Sequence, residues 1–331
     1  MKVSVVIPCR NEEKHIADCV ESLFENGFDQ RQMEVLVIDG ISTDSTPAVL
    51  KSLTSKYPHL RVFQNPEKVT PHALNIGVQQ AIGSYTMIAS AHSSFDLGYI
   101  QALYDAFQQL PDAIAIGGNM KTEVKNSTPT SLAIQRVLSS KFGVGNAMFR
   151  IGTDEILRVD TVPFGLYKSS LLKESGGYDE RLIRNHDIEL SKRLLRKGGN
   201  IYLIPSATCT YYARERFTEM ASNNFRNGKW NLLTVWITKN FSSLSIRHFV
   251  PMFFVLGLLL PLVLAIFYLP FVFLSLVCLT SYLLALVYFS FKLDKKGTTI
   301  WHLITGYFIL HLAYGFGSLI GVFLIPTFTR R

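Results

Sequence analysis

Apolar positions along the chain fall into two regimes. In the first, short β-branched runs alternate with amphipathic stretches. Val3-Ser4-Val5-Val6-Ile7, closed by Pro8, has the length and composition of a buried strand. A helical stretch over 12–24 follows, then a strand over 34–39, a helix over 45–56, a strand over 60–64, a helix over 71–81 and a strand over 84–90. Strand and helix alternating at this spacing predict βαβ units, an α/β fold with a mostly parallel sheet flanked by helices. Such sheets take ligands beyond the carboxyl ends of their strands. That rule gathers Pro8-Cys9-Arg10-Asn11-Glu12, Asp39-Gly40 and Ser90-Ala91-His92 on one crevice.

The second regime is nearly pure hydrocarbon. Residues 250–291 carry no charge, a run about twice what one bilayer crossing needs. Pro270 interrupts it, so the pattern predicts spans over 250–268 and 271–291, with a third over 300–325. The basic loop Lys292–Lys296 belongs on the cytosolic side. That side suits the N-terminal region if the first two spans form a hairpin. The third span then sends the C-terminus outward, which Arg330 and Arg331 oppose. Gly317 and Gly321 form a GxxxG pair, either a helix-packing face or ordinary membrane-helix glycine. The segment from Gly228 mixes Trp, aliphatics and Lys like a helix lying at an interface. The expected organisation is a cytosolic domain over 1–225, an interfacial segment over 226–248 and a transmembrane region over 249–326, in the inner membrane.

Charge and composition narrow the partners. The chain has 331 residues and a net charge of +8, without a Lys/Arg run of the nucleic-acid type. Lipid headgroups and nucleotide phosphates are the better partners, and nucleic acid is not expected. Cys9, Cys19, Cys209 and Cys278 are scattered, which fits a reducing compartment. The first residues lack the pattern of a cleaved signal peptide. Neither GxGxxG after the first strand nor GxxxxGK[ST] is present, which weighs against dinucleotide oxidoreductases and P-loop NTPases.

Two motifs together are specific. Val3–Glu13, ending Pro8-Cys9-Arg10-Asn11-Glu12-Glu13, and Val37-Ile38-Asp39-Gly40-Ile41-Ser42-Thr43-Asp44 resemble family 2 inverting glycosyltransferases of the GT-A (Rossmann-like) fold, closest in type to those of succinoglycan biosynthesis. The resemblance implies that Pro8, Arg10 and Glu12 line a nucleobase and ribose pocket and that Asp39 accepts from the base. The alternative for Asp39 is a turn cap, which is the better reading for Asp44. It further implies an acidic metal-binding element at the end of the fourth strand, where this chain reads Ser90-Ala91-His92. Serine is a poor ligand for a hard cation, whereas His92 suits Mn²⁺ better than Mg²⁺. Three readings stay open: a cation held by His92 and the donor diphosphate, no metal with Arg226 or Lys229 stabilising the leaving group, or an inactive protein.

The same resemblance assigns the general base. Arg184-Asn185-His186-Asp187 aligns with the family's Glu-Asp element and makes Asp187 the base, with His186 beside it; Glu189 reads as structural. An inverting transfer needs one such group to take the acceptor proton. Asp187 as a helix cap is the structural alternative. Asn223–Trp230 resembles the family's segment over the active site, where Arg226 pairs with a diphosphate and Trp230 stacks on a sugar or lies in the interface. The expected activity is transfer from a nucleotide-sugar, a UDP-sugar first, to a hydroxyl of a lipid-linked saccharide in bacterial polysaccharide synthesis. A polyprenyl-phosphate acceptor and a silent scaffold within a polysaccharide assembly complex are the alternatives.

Overall fold

The computed structural model describes residues 1–328; Arg330 and Arg331 lie outside the described residues. Two compact units are resolved, one comprising Met1–Lys121 with Ala147–Tyr212, the other Thr122–Asn146 with Ala213–Arg331.

The first unit opens as the hydrophobic pattern predicts. Strands β1 (Val3–Cys9), β2 (Met33–Asp39), β3 (Leu60–Gln64) and β4 (Tyr85–Ile88) alternate with helices α1 (Ile16–Phe24), α2 (Thr46–Lys56) and α3 (Thr70–Gln80). These four strands are parallel, in the order β3-β2-β1-β4. The chain continues through β5 (Ser93–Phe95), α4 (Tyr99–Gln109) and β6 (Ala113–Glu123). Next come α5 (Pro129–Leu138), α6 (Lys141–Val144), α7 (Met148–Ile151), β7 (Leu157–Val159), β8 (Leu166–Lys168) and α8 (Ser169–Glu174). Helix α9 (His186–Leu195) and β9 (Asn200–Tyr212) follow. The later strands complete a nine-stranded sheet, β8 antiparallel to β4 and β6, and β9 antiparallel to β5 and β7.

Period-two alternation sorts β1 and β2 between two cores. Val3, Val5, Ile7, Met33, Val35 and Val37 face α1 and α4, whereas Val6, Leu36 and Ile38 face α3 and α9. Gly77 of α3 lies directly on Val6: a Cβ there would meet the valine Cγ1 at 2.2 Å, so the helix can approach β1 only without a side chain.

Two boundaries differ from expectation. The first helix begins at Ile16 rather than 12, because residues 11–13 are bonded elsewhere. Asn11 N–H donates to Ser42 Oγ at 2.8 Å, Glu12 N–H to Thr46 Oγ1 at 2.8 Å, and Glu13 Oε2 accepts from Ser45 N–H at 2.9 Å. The fourth strand ends at Ile88; beyond it the Ser90 carbonyl accepts from Cys19 Sγ and Ser93 Oγ instead of extending a ladder.

The second unit contains α10 (Phe217–Thr238), α11 (Val250–Leu264), α12 (Phe271–Lys292) and α13 (Ile300–Phe328), with α5 packed on α13. Residue 226 therefore falls inside α10, not at an element boundary. Among the described residues, two helices, α12 and α13, are long and apolar enough to cross a membrane. Helix α11 lies within the first expected span, 250–268, and is shorter than it, with 15 residues and about 22 Å of rise. It does pair with α12, where Ser275 Oγ donates to the Leu258 carbonyl at 2.8 Å. The GxxxG pair is a packing face. A Cβ on Gly317 would lie 2.2 Å from the Phe225 carbonyl oxygen and one on Gly321 2.4 Å from that of Lys229, so α10 and α13 touch backbone to backbone.

Candidate active site

Where the parallel strands end, the first unit holds a cavity of about 600 Å³, within the range of small-ligand sites. Pro8, Arg10 and Glu12 line it from β1, Gly40 from the end of β2, Ala89 and Ser90 from beyond β4, and His186 and Asp187 from α9. Of the predicted residues, Asp39, Ala91, His92, Arg226 and Trp230 are not among the lining groups. Asp39 is 7% exposed and caps the turn after β2, accepting from Ser42 N–H at 3.2 Å and from Ser42 Oγ at 2.5 Å. The turn-cap role is thus realised for Asp39. It is realised for Asp44 too, which accepts from Thr46 N–H at 3.0 Å at the start of α2.

Asp187 sits in the first turn of α9, exposed and facing the cavity. It does not cap: the preceding position is Asn185, in the left-handed region at φ 62°. The helix N-terminus favours the carboxylate anion. Three ties fix the helix. Lys192 Nζ lies 3.3 Å from Asp160 Oδ2, and Ser191 Oγ is 3.3 Å from Thr161 Oγ1. On the opposite face Arg193 pairs with buried Glu189 and donates to the Ser175 and Gly177 carbonyls at 2.6 and 2.7 Å. Glu189 is accordingly a structural carboxylate. His186 Nδ1 is buried with no hydrogen-bond partner, and burial pushes the imidazole pKa below its ordinary value.

Cys9 also lines the cavity, but burial and then the negative charge of Asp39 push its thiol far up, so it stays a protonated thiol. Ser90 is turned to its own loop: its Oγ accepts from His92 N–H at 3.4 Å. His92 Nε2 lies 2.8 Å from Glu12 Oε1, and the His92 and His15 rings are 4.5 Å apart. Among the described residues, Glu12, His15 and His92 present ligand atoms all within 4.8 Å of one another. Two imidazoles and a carboxylate are a donor set that fits a borderline divalent ion.

Arg226 and Trp230 belong to the second unit. The Arg226 guanidinium donates to Ser222 Oγ at 3.0 Å on its own helix. Trp230 is 9% exposed, a ring already covered by protein rather than displayed at a surface.

Sequence reasoning missed four polar or cationic groups of this region. Asn65 and Lys68 line the cavity just beyond β3, where the strand-end rule points; that third tip had been passed over. Arg150 lines it from α7, its guanidinium 5.4 Å from the Tyr211 ring centre and 5.7 Å from that of Phe149. No local pattern marks it, since α7 has only four residues. Asn75 holds the Gly177–Tyr178 turn, accepting from Tyr178 N–H at 2.7 Å and donating to its carbonyl at 2.9 Å.

Comparison with known proteins gives a consistent result. Residues 4–174, just over half of the chain, match Glycosyl transferase family 2. The chain is 28% identical over 219 residues to dolichyl N-acetyl-α-D-glucosaminyl phosphate 3-β-D-2,3-diacetamido-2,3-dideoxy-β-D-glucuronosyltransferase of Methanococcus voltae, covering 64% of this chain and 67% of that one. It is 27% identical over 230 residues to succinoglycan biosynthesis protein ExoA of Rhizobium meliloti, covering 68% and 67%. Two solved structures share the fold. One is S. aureus TarS 1-349 in complex with UDP-GlcNAc, 17% identical, TM-score 0.53, covering 95% of this chain and 90% of that one. The other is GalNAc-T7 with UDP, GalNAc and Mn²⁺, 15% identical, TM-score 0.52, covering 65% and 44%.

Proposed function

The chain belongs to glycosyl transferase family 2, and from that premise we propose that it transfers a sugar from a UDP-sugar to a hydroxyl of a lipid-linked saccharide, with inversion at the anomeric carbon. The observation that carries the reading is the meeting of Asp187 with Pro8, Arg10, Glu12 and Ser90 around one cavity. The nucleoside lies over the ends of β1 and β2, with Asp39 behind it. Asp187 accepts the proton of the acceptor hydroxyl; its oxygen forms the new bond to the anomeric carbon as the bond to the diphosphate breaks, and UDP departs.

Lys68, Arg150 and Arg10 are the cations that line the cavity and meet the diphosphate. His186 supports Asp187 on the acceptor side. A bound divalent cation held at His92, Mn²⁺ before Mg²⁺, would neutralise charge on the leaving diphosphate. The apolar helices α12 and α13 anchor the protein to the inner membrane with the catalytic unit cytosolic, which concentrates a lipid acceptor at the surface.

The UDP-bound and UDP-sugar-bound complexes of the fold relatives, and the lipid-phosphate glycan named for the Methanococcus relative, favour this donor and acceptor class. The test is a donor screen with purified full-length protein and a polyprenyl-lipid extract, read by product mass. Addition of one hexose or hexosamine mass to a lipid-linked saccharide from a UDP-sugar is expected. Transfer only from another nucleotide class, or none from any donor despite UDP binding, would overturn it.

A further inference from the structure

We infer that Glu12, His15 and His92 form one three-ligand site, at the rim of the donor cavity, for a borderline divalent transition ion. This completes the ligand set around His92 and names the ion class; it rests on the donor-site reading only for what the ion meets once bound.

The three side chains come from two places in the chain but are held to one framework. Glu12 N–H is fixed on Thr46 Oγ1, and His15 N–H donates to the Glu12 carbonyl at 3.0 Å, a single turn that puts both side chains on one side. His92 arrives from beyond β4. Its carbonyl accepts from Tyr212 N–H of β9 at 3.3 Å. The ligand atoms lie within 4.8 Å of one another and Glu12 Oε1 is 2.8 Å from His92 Nε2. Ligands 2.0–2.3 Å from one ion sit about 3–3.5 Å apart, so side-chain rotations of about 1 Å close the set. All three are partly exposed, which leaves an approach for the ion and for further ligands. Glu12 itself lines the donor cavity, so an ion here keeps open positions toward a diphosphate.

The donor set decides which ion. Mg²⁺ demands oxygen ligands in octahedral geometry, whereas two imidazoles and one carboxylate suit Mn²⁺, Co²⁺ or Zn²⁺. The set also accounts for Ser90. Its hydroxyl accepts from His92 N–H and its carbonyl from Cys19 Sγ and Ser93 Oγ, so Ser90 orients the histidine rather than ligating. The competing arrangement is an ion pair of His92 with Glu12 and a tilted contact of the His15 and His92 rings, without metal.

Full-length protein, stripped with EDTA and desalted, is titrated with Mn²⁺ alone, and binding is read from loss of the free-Mn²⁺ EPR signal. Saturable binding of one ion is expected without nucleotide. His15→Ala and Glu12→Gln should each weaken it by at least about 10-fold, an effect that changes outside the ligand shell already reach. A tenfold excess of Mg²⁺ should not displace it. Co²⁺ absorption provides the geometry, and far-UV circular dichroism with a thermal melt in EDTA checks that each variant is folded. Wild-type Mn²⁺ affinity in His15→Ala, displacement by Mg²⁺, or no binding without nucleotide overturns the site. UDP binding retained in a protein that takes no Mn²⁺ sinks the metal site alone; Mn²⁺ binding without any UDP binding sinks the donor reading alone.

Discussion

Replacing Asp187 by Asn isolates one proton transfer from everything else the site does. The side chain keeps its shape and its place in the first turn of α9, and only the charge goes. Asp187 is exposed, and Ser191 Oγ donates at 2.9 Å to its backbone carbonyl, a bond that Asn keeps. The fold therefore loses little more than the carboxylate's attraction to the helix N-terminus, about 0.3–1 kcal/mol. A general base typically contributes 10²–10⁴ in rate, about 2.7–5.4 kcal/mol of barrier, so the catalytic cost exceeds the stability cost severalfold. The assay is single-sugar transfer at saturating donor, with kcat and KM measured separately and UDP binding followed by calorimetry. Turnover should fall at least about 100-fold with UDP affinity within about twofold of wild type. Near-normal turnover would refute Asp187 as base. It would also identify an acceptor that is already ionised, such as a polyprenyl phosphate, since that nucleophile has no proton to surrender.

Three further outcomes are expected. Gly321→Val places a side chain 2.4 Å from the Lys229 carbonyl oxygen, where backbone cannot yield; overpacking should cost about 1–3 kcal/mol, and a thermal midpoint equal to wild type in detergent would show that α10 and α13 do not meet there. Glu34→Ala removes a 2% exposed carboxylate bonded to Ser4 Oγ, Arg61 and Ile82 N–H; with Arg61 partly solvated, a loss of about 1–3 kcal/mol is expected in denaturant titration, and no change in midpoint would contradict the network. His186 has its pKa depressed by burial, so below the ordinary histidine value the unfolded chain binds the extra proton and the folded chain does not. Stability should thus fall as pH drops from 7.5 toward 5.5, and His186→Gln should flatten the slope of melting temperature over that interval; parallel slopes would count against a neutral buried imidazole.

The four parallel strands were legible because β-branched runs ending in Pro, Gly or Asp have few other readings, and their tips followed from topology. What sequence could not show is which tip residues turn inward. Asp39 ends β2 and Ser90 follows β4 by two residues; Asp39 closes its own turn on Ser42, while Ser90 lines the cavity with its hydroxyl engaged by His92. Both outcomes depend on hydrogen bonds formed with neighbouring turns, which no propensity encodes. Arg150 was illegible for another reason: a four-residue helix has no period to read, and its role follows from the packing of α7 beside Tyr211. That α11 stops at Leu264 rather than 268 was not legible, because hydropathy records that residues are apolar, not where the helix stops. The turn after Leu264 ends α11 within a run that stays hydrophobic.

Backbone strain gives an independent reason to place function at these tips. Besides Lys239, which ends α10 in the second unit, the described non-glycine residues with positive φ are Asn11, Ile41, Lys68, Phe164 and Asn185. Each lines the cavity or adjoins a residue that does: Arg10 and Glu12 flank Asn11, Gly40 precedes Ile41, and His186 follows Asn185. Such conformations cost about 1–3 kcal/mol each, most for a β-branched residue like Ile41, and persist only where surroundings impose them. Here the surroundings are visible. Residues 11–13 and 42–46 are laced together by Asn11 Oδ1 to Thr43 N–H, Ser42 Oγ to Asn11 N–H and Glu13 Oε2 to Ser45 N–H. A loop that only connected β1 to α1 would relax into the helix its sequence favours from residue 12. Holding Asn11 left-handed ahead of the turn at 13–15 instead keeps the backbone beside Arg10 and Glu12 open toward the cavity and brings Glu12 close to His15 and His92. The strain is therefore the cost of a preorganised rim, and it concentrates where a charged ligand must be met without rearrangement.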